Sequence, residues 1–258
     1  MKKLIVACLL TITLWLGWGQ GAIASTQEEL DLSTKLWESS LHALNDVNCA
    51  SCHQDEETNE FIAKPQASCR TCHEESVETF LLGKHGIRLL EERSPLNPTM
   101  ARLPMHKEAA NLQMGCATCH DAHSVNTIPA AVDSCLTCHA DNHSLNYKNS
   151  RHAELFDADR ELPRPSADSV SCSTCHMARH EREVGDRTTA FVNHNNTYNL
   201  LPRDRMVGEV CINCHGVEYS YKSIFDDELV EANFDKPPTL ELETFDLMRA
   251  AEERRQSQ

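Results

Sequence analysis

Aromatic residues are scarce in this chain, at 5% of 258 positions, and apolar material is thin beyond one N-terminal run. A chain of this length ordinarily buries a full hydrophobic core, so something other than side chains must fill much of the interior. Strand signals are poor throughout, and the βαβ pattern that accompanies a thioredoxin-like CxxC is missing. Positive charge is also short: 24 Lys and Arg stand against 39 Asp and Glu, for a formal net charge of −15. No basic patch is present, which argues against nucleic acid as a partner.

The one long apolar run opens the chain. Lys2 and Lys3 precede an apolar stretch from Leu4 to Trp18, and Ala22-Ile23-Ala24 matches the small-x-small rule for signal cleavage. Residues 1–24 are therefore expected to be a signal peptide, with an uncleaved membrane anchor as the alternative. Either way the bulk of the chain is exported, and a periplasmic location is expected. Cys8 lies in "IVAC", a lipoprotein-box match that the short apolar run before it marks as coincidence.

Without the leader, twelve of the 13 cysteines remain. An even number in an exported chain usually suggests disulfides, but their spacing points elsewhere. They fall without remainder into six CxxCH units. These are Cys49, Cys52 and His53; Cys69, Cys72 and His73; Cys116, Cys119 and His120. The other three are Cys135, Cys138 and His139; Cys172, Cys175 and His176; Cys211, Cys214 and His215. Cysteines at i and i+3 lie on one side of a helical turn, where both sulfurs reach the two vinyl groups of one porphyrin. The histidine that follows then meets the iron as its proximal ligand. A zinc ribbon does not require a histidine after every pair, and a disulfide scaffold would not keep one spacing six times. The expected cofactors are six covalently bound haem c groups.

Eight further histidines are available for the opposite faces of six irons. His123 follows His120 by three residues and His143 follows His139 by four, too close to swing round to the far face of the same ring. Each is expected to reach the iron of a neighbouring haem. His42 sits before the first unit in an amphipathic stretch, His85 beside glycine, His152 at the end of a helical segment and His194 in a loop. These six are the favoured distal ligands. His106 reads as a surface turn, and His180, crowded by Arg179, Glu181 and Arg182, as a solvated face. Met100, Met105 and Met114, near the third unit in sequence, offer an alternative axial ligand.

The expected fold class is mainly α with extensive irregular loops, a core of packed haems and little β. The haem domain spans 25–215, with doublets at 49–73 and 116–139 and single units at 172–176 and 211–215. Prolines in "ERSPLNPTMARLP" and "ELPRPSADS" mark crossing segments between units. Residues 216–258 form a C-terminal cap or tail, with helical spacing in "LETFDLMRAAEERR".

The six units make the chain resemble the multihaem c-type cytochromes, in particular the superfamily of hydroxylamine oxidoreductase and the pentahaem nitrite reductases. "CHADNHSLNYKNSRH" is similar to a segment of hydroxylamine oxidoreductase-like proteins, and the resemblance implies distal roles for His143 and His152. "CHDAH" is similar to an element of electron-carrying multihaem cytochromes, which implies the same for His123; "CSTCHMARH" resembles an element of the enzymes. No CxxCK unit marks a catalytic haem, and Tyr198, Tyr219 and Tyr221 lack the context of a cross-linked one. The resemblance therefore carries no activity over. Proximal and candidate distal histidines match well enough to favour electron relay to redox proteins with basic docking patches. A membrane quinol-oxidising complex is a further expected partner. The alternative is an oxidoreductase with one open iron, acting on nitrite, hydroxylamine or a sulfur oxyanion, with His106, His180, Arg179 and Arg102 as the spare polar groups.

Overall fold

Each cysteine unit makes its own short helix. Cys49–His53, Cys69–Cys72, Cys116–Cys119, Asp133–Cys138 and Cys172–His176 are α-helical, and Cys211–Asn213 is a 3-10 turn. The local chemistry explains why such short pieces hold. The Asn48 side chain caps its helix by accepting from the Ser51 N–H, and Ser171 does the same for Thr174. In four units the histidine N–H closes onto the carbonyl of the first cysteine, at 2.9–3.0 Å for His73, His120, His139 and His215. The backbone bond fixes cysteines and histidine as one rigid unit.

The computed structural model describes residues 26–63, 66–162, 166, 168–177 and 179–236. The leader, Cys8 and the helix expected at 242–255 lie outside them. Among the described residues no helix is long and apolar enough to cross a membrane. Between the units, helices such as Gln27–Glu38, Glu74–Leu82, Arg151–Asp159 and Val217–Phe225 alternate with irregular connections. The architecture is mainly α. The described sheet is one antiparallel hairpin, β1 (Arg179–Val184) and β2 (Arg187–Val192), paired from Arg179 with Val192 to Val184 with Arg187. Its turn needs Gly185, whose φ is +60°.

One helix boundary differs from expectation. His152 is the second residue of Arg151–Asp159 instead of the end of a preceding helix. The helix Asn142–Asn146 stops, a 3-10 turn follows at Tyr147–Asn149, and the Ser150 hydroxyl accepts from the Ala153 N–H to start a new one. The proline-marked crossing segment also travels further than its sequence position suggests. It folds back on the fourth unit, where Met105 pairs with His139 and the His106 N–H donates to the Cys138 carbonyl at 2.9 Å.

Among the described residues the buried apolar side chains are few, and most of them gather in two clusters. Val132, Tyr147, Ala153 and Phe156 form one cluster, against which Leu136 and Cys172 pack. Met206, Val207 and Ile224 form the other, with Cys175 and Cys211 at its edge. Large apolar side chains elsewhere stand open, among them Leu41, Leu44, Phe61 and Leu82. Their positions become intelligible once the histidines are placed.

Candidate metal centres

Every motif histidine faces exactly one other imidazole from elsewhere in the chain. The pairs are His73 with His42, His53 with His123, His139 with His85, His120 with His194, His176 with His143 and His215 with His152. Their ring centroids lie 6.0, 6.1, 6.3, 6.1, 6.4 and 6.2 Å apart in that order. This is too far for ring packing on its own and too regular for accident. A metal–imidazole bond of about 2 Å on each side, plus about 1.1 Å from each nitrogen to its ring centre, gives roughly 6.2 Å. The gap fits one metal atom bonded to both rings.

The surroundings fit a flat apolar macrocycle around that atom. Leu41 and Leu44 flank His42; Phe61 stacks on His53 at 5.3 Å and is 74% exposed. Tyr219 lies 5.2 Å from the His215 ring. The cleft between His85 and His139 is lined by Leu96, Pro98, Met105, Leu112 and Met114. Met105 and Met114 thus line the fourth unit's cleft, which Thr118 of the third unit also borders, and His85 already stands opposite His139. Among the described residues no three His, Cys, Asp or Glu side chains converge as a metal cluster. The arrangement is one of imidazole twosomes, not of four-ligand tetrahedra of the zinc type.

Several rings are fixed through their second nitrogen. His53 Nδ1 lies 2.7 Å from the Ile62 carbonyl, His143 Nδ1 2.7 Å from that of Val230, and His194 Nδ1 2.9 Å from that of Val192. A carbonyl only accepts, so Nδ1 carries the proton and Nε2 keeps its lone pair for the metal. The Val230 contact brings the segment after the last unit back over the fifth. The turn that holds His85 is equally constrained: a Cβ at Gly86 would stand 2.2 Å from the Phe80 carbonyl oxygen, so no side chain fits there.

Burial favours the neutral form of five of the paired rings, those of His85, His120, His152, His176 and His194. His85 and His176 are each pushed down to about 4, by burial first and then by the neighbouring imidazoles, His139 beside His85 and His143 beside His176. His120, His152 and His194 are lowered for the same leading reason. Burial raises the thiols of Cys119 and Cys211 to about 11 and that of Cys175 to about 12.

The units are also neighbours of one another. The Cys69 and Cys116 thiols touch, as do those of Cys135 and Cys172. Cys119 feels Cys135 and Cys138, and Cys175 feels Cys211. Units two to six therefore follow each other in space as in sequence. The first joins through His123 beside the third unit and through His42, which faces the second. Contact between units thus ignores the sequence doublets: the second touches the third, and the fourth the fifth.

His106 and His180 stand outside the pairs. His106 caps a 3-10 turn at Lys107–Ala109, and His180 lies on β1 opposite Phe191.

Residues 41–99 match a family model described as cytochrome c3. That stretch contains His42, His85 and the first two CxxCH units. Over that stretch the chain is similar to cytochrome c3. No curated protein matches it. Among solved structures it is similar to a reducing HAO-like protein complex of Kuenenia stuttgartiensis, at 18% identity and a TM-score of 0.48, over 80% of this chain. The match spans 57% of that chain's length. The match implies covalently bound haem c as the cofactor, and it covers the CxxCH units at Cys49 and Cys69. Side chains to which sequence reading gave no role include Phe61 and Tyr219, each against a motif histidine, and Asp141, beside His139. Asp141 had a signal, an acid two residues after a motif histidine; the two aromatics had none.

Proposed function

We propose that this chain is a multihaem c-type cytochrome, an exported electron relay carrying six haem c groups, each ligated by two histidines. The observation that carries the reading is the set of six facing imidazole pairs at one common spacing. The twelve cysteines Cys49, Cys52, Cys69, Cys72, Cys116, Cys119, Cys135, Cys138, Cys172, Cys175, Cys211 and Cys214 attach the haems. His53, His73, His120, His139, His176 and His215 are the proximal ligands, and His123, His42, His194, His85, His143 and His152, in the same order, the distal ones. Bound haem supplies reversible one-electron chemistry at the iron. The chain's own contribution is to hold imidazoles in opposed pairs, wall them with apolar side chains and set successive attachment units side by side. An open-iron oxidoreductase needs a motif histidine with nothing opposite, and each of the six has a partner.

The surface favours a basic redox partner, because acids outnumber bases and the leader takes only Lys2 and Lys3 with it. Periplasmic residence and docking to a membrane quinol-oxidising complex belong to the same reading and rest on that leader. The test is to mix chemically reduced protein with a basic single-haem acceptor in a stopped-flow instrument. Rapid oxidation is expected, with a second-order rate that falls as ionic strength rises. Sustained turnover of nitrite, hydroxylamine or tetrathionate, with no exchange to the acceptor, would overturn the proposal.

A further inference from the structure

We infer that Asp141 is a positioning residue that holds down the reduction potentials of the fourth and fifth metal centres. The inference rests on the bis-histidine reading of the pairs above. Asp141 is the N-cap of the helix Asn142–Asn146, and its side chain is 16% exposed. One carboxylate oxygen accepts from the Ser144 N–H at 3.1 Å, and the other from the Ser144 hydroxyl at 2.8 Å. With both oxygens engaged the group cannot turn away. Its Oδ2 also sits 3.5 Å from Nδ1 of His139, the motif histidine of the fourth unit.

The fifth unit is reached from the same carboxylate. The helix that Asp141 caps carries His143, which faces His176. His176 lies close enough to Asp141 to feel its charge, and close also to His139 and His85. One fixed negative charge therefore lies beside the His139 ring of one pair and caps the helix that carries His143 of the next. Elsewhere the second nitrogen meets a neutral carbonyl, as at His53, His143 and His194. Among the described residues, His139 is the one paired histidine with a carboxylate beside Nδ1.

The sign follows from charge. The oxidised centre is one unit more positive than the reduced one, so a nearby anion favours oxidation. A carboxylate on the proximal imidazole also increases its donation to the metal. Both effects point downward, and the fourth centre, nearer the charge, feels the larger.

The test uses the full-length holoprotein and Asp141→Asn. Asparagine caps a helix as well as aspartate does, so the helix and His143 stay in place while the charge is lost. In an optical redox titration, about one third of the absorbance change is expected to move to higher potential. The shift should be tenfold or more in the oxidised-to-reduced ratio at fixed poise, about 59 mV for a one-electron couple. The remainder should not move, and Asp141→Glu should restore much of the original curve. Should Asp141→Asn lose a haem on assembly, Ser144→Ala frees the carboxylate and gives a smaller shift in the same direction. Superimposable titrations, or an equal shift at all centres, would overturn the inference. A wild-type protein with fewer than six haems by mass would instead overturn the reading beneath it.

Discussion

Replacing His143 by alanine is expected to turn one iron in six high-spin while all six haems stay attached. On the proposed reading the thioethers of the fifth unit come from Cys172 and Cys175, which the substitution does not touch, and His176 keeps its place on the same short helix. What disappears is the ring 6.4 Å across the gap from His176, together with its bond to the Val230 carbonyl. Alanine cannot ligate, so a vacant or water-bound position replaces a strong-field nitrogen ligand. The other pairs draw their rings from separate segments and should keep their low-spin signatures. The controls are His106→Ala and His180→Ala, which should leave the spectrum unchanged because neither ring faces a motif histidine. Magnetic circular dichroism of the oxidised protein reads the spin states directly. A wholly low-spin His143→Ala protein would show that another group ligates the fifth centre.

The second large effect is on stability. Phe156 is 3% exposed and packs with Val132, Tyr147 and Ala153, so Phe156→Ala should cost about 3–5 kcal/mol. Total stabilities of about 5–15 kcal/mol make that a large fraction. The loss is concentrated because the side-chain core is so small: little neighbouring apolar mass can collapse into the void. Phe156 is also one helical turn beyond His152, so loosening the helix Arg151–Asp159 should loosen the His152–His215 pair. A guanidinium unfolding curve should show a lower midpoint with an unchanged slope. Phe156→Leu, which keeps most of the volume, should lose far less. A cost under about 1 kcal/mol for the alanine variant would mean that the haems, not this cluster, hold the region together.

The parts of the molecule legible in sequence are those set by local covalent spacing. A CxxCH unit needs only a helical turn, and the structure builds one at every copy. The mainly helical architecture follows from the same units and from the lack of strand patterning. Pairing between histidines is a long-range property and was less legible. That His123 must reach past its own unit follows from a three-residue separation, but its choice of His53 depends on how the chain folds back. His42 precedes the first unit and yet faces the second, a result no spacing rule supplies. The return of the crossing segment onto the fourth unit depends on backbone pairing between Met105 and His139, which leaves no mark in composition. The hairpin did leave one: Gly185-Asp186 between two six-residue runs is a two-residue turn signal. Charged residues in "RHEREV" obscured the alternation around it. Exposure of Leu41, Leu44 and Phe61 would read as a fault in an ordinary globular domain. On the proposed reading it marks where the side-chain core gives way to porphyrin.

The most direct test is the electron paramagnetic resonance spectrum of the intact, fully oxidised protein, integrated against its haem content. Six haems per chain and wholly low-spin iron are expected. The near-parallel His53–His123 rings, 2° apart, should give an ordinary rhombic signal. The His143–His176 rings, at 76°, should give the most anisotropic one. A high-spin signal worth one iron or more, or a chain with fewer than six haems, would contradict the account.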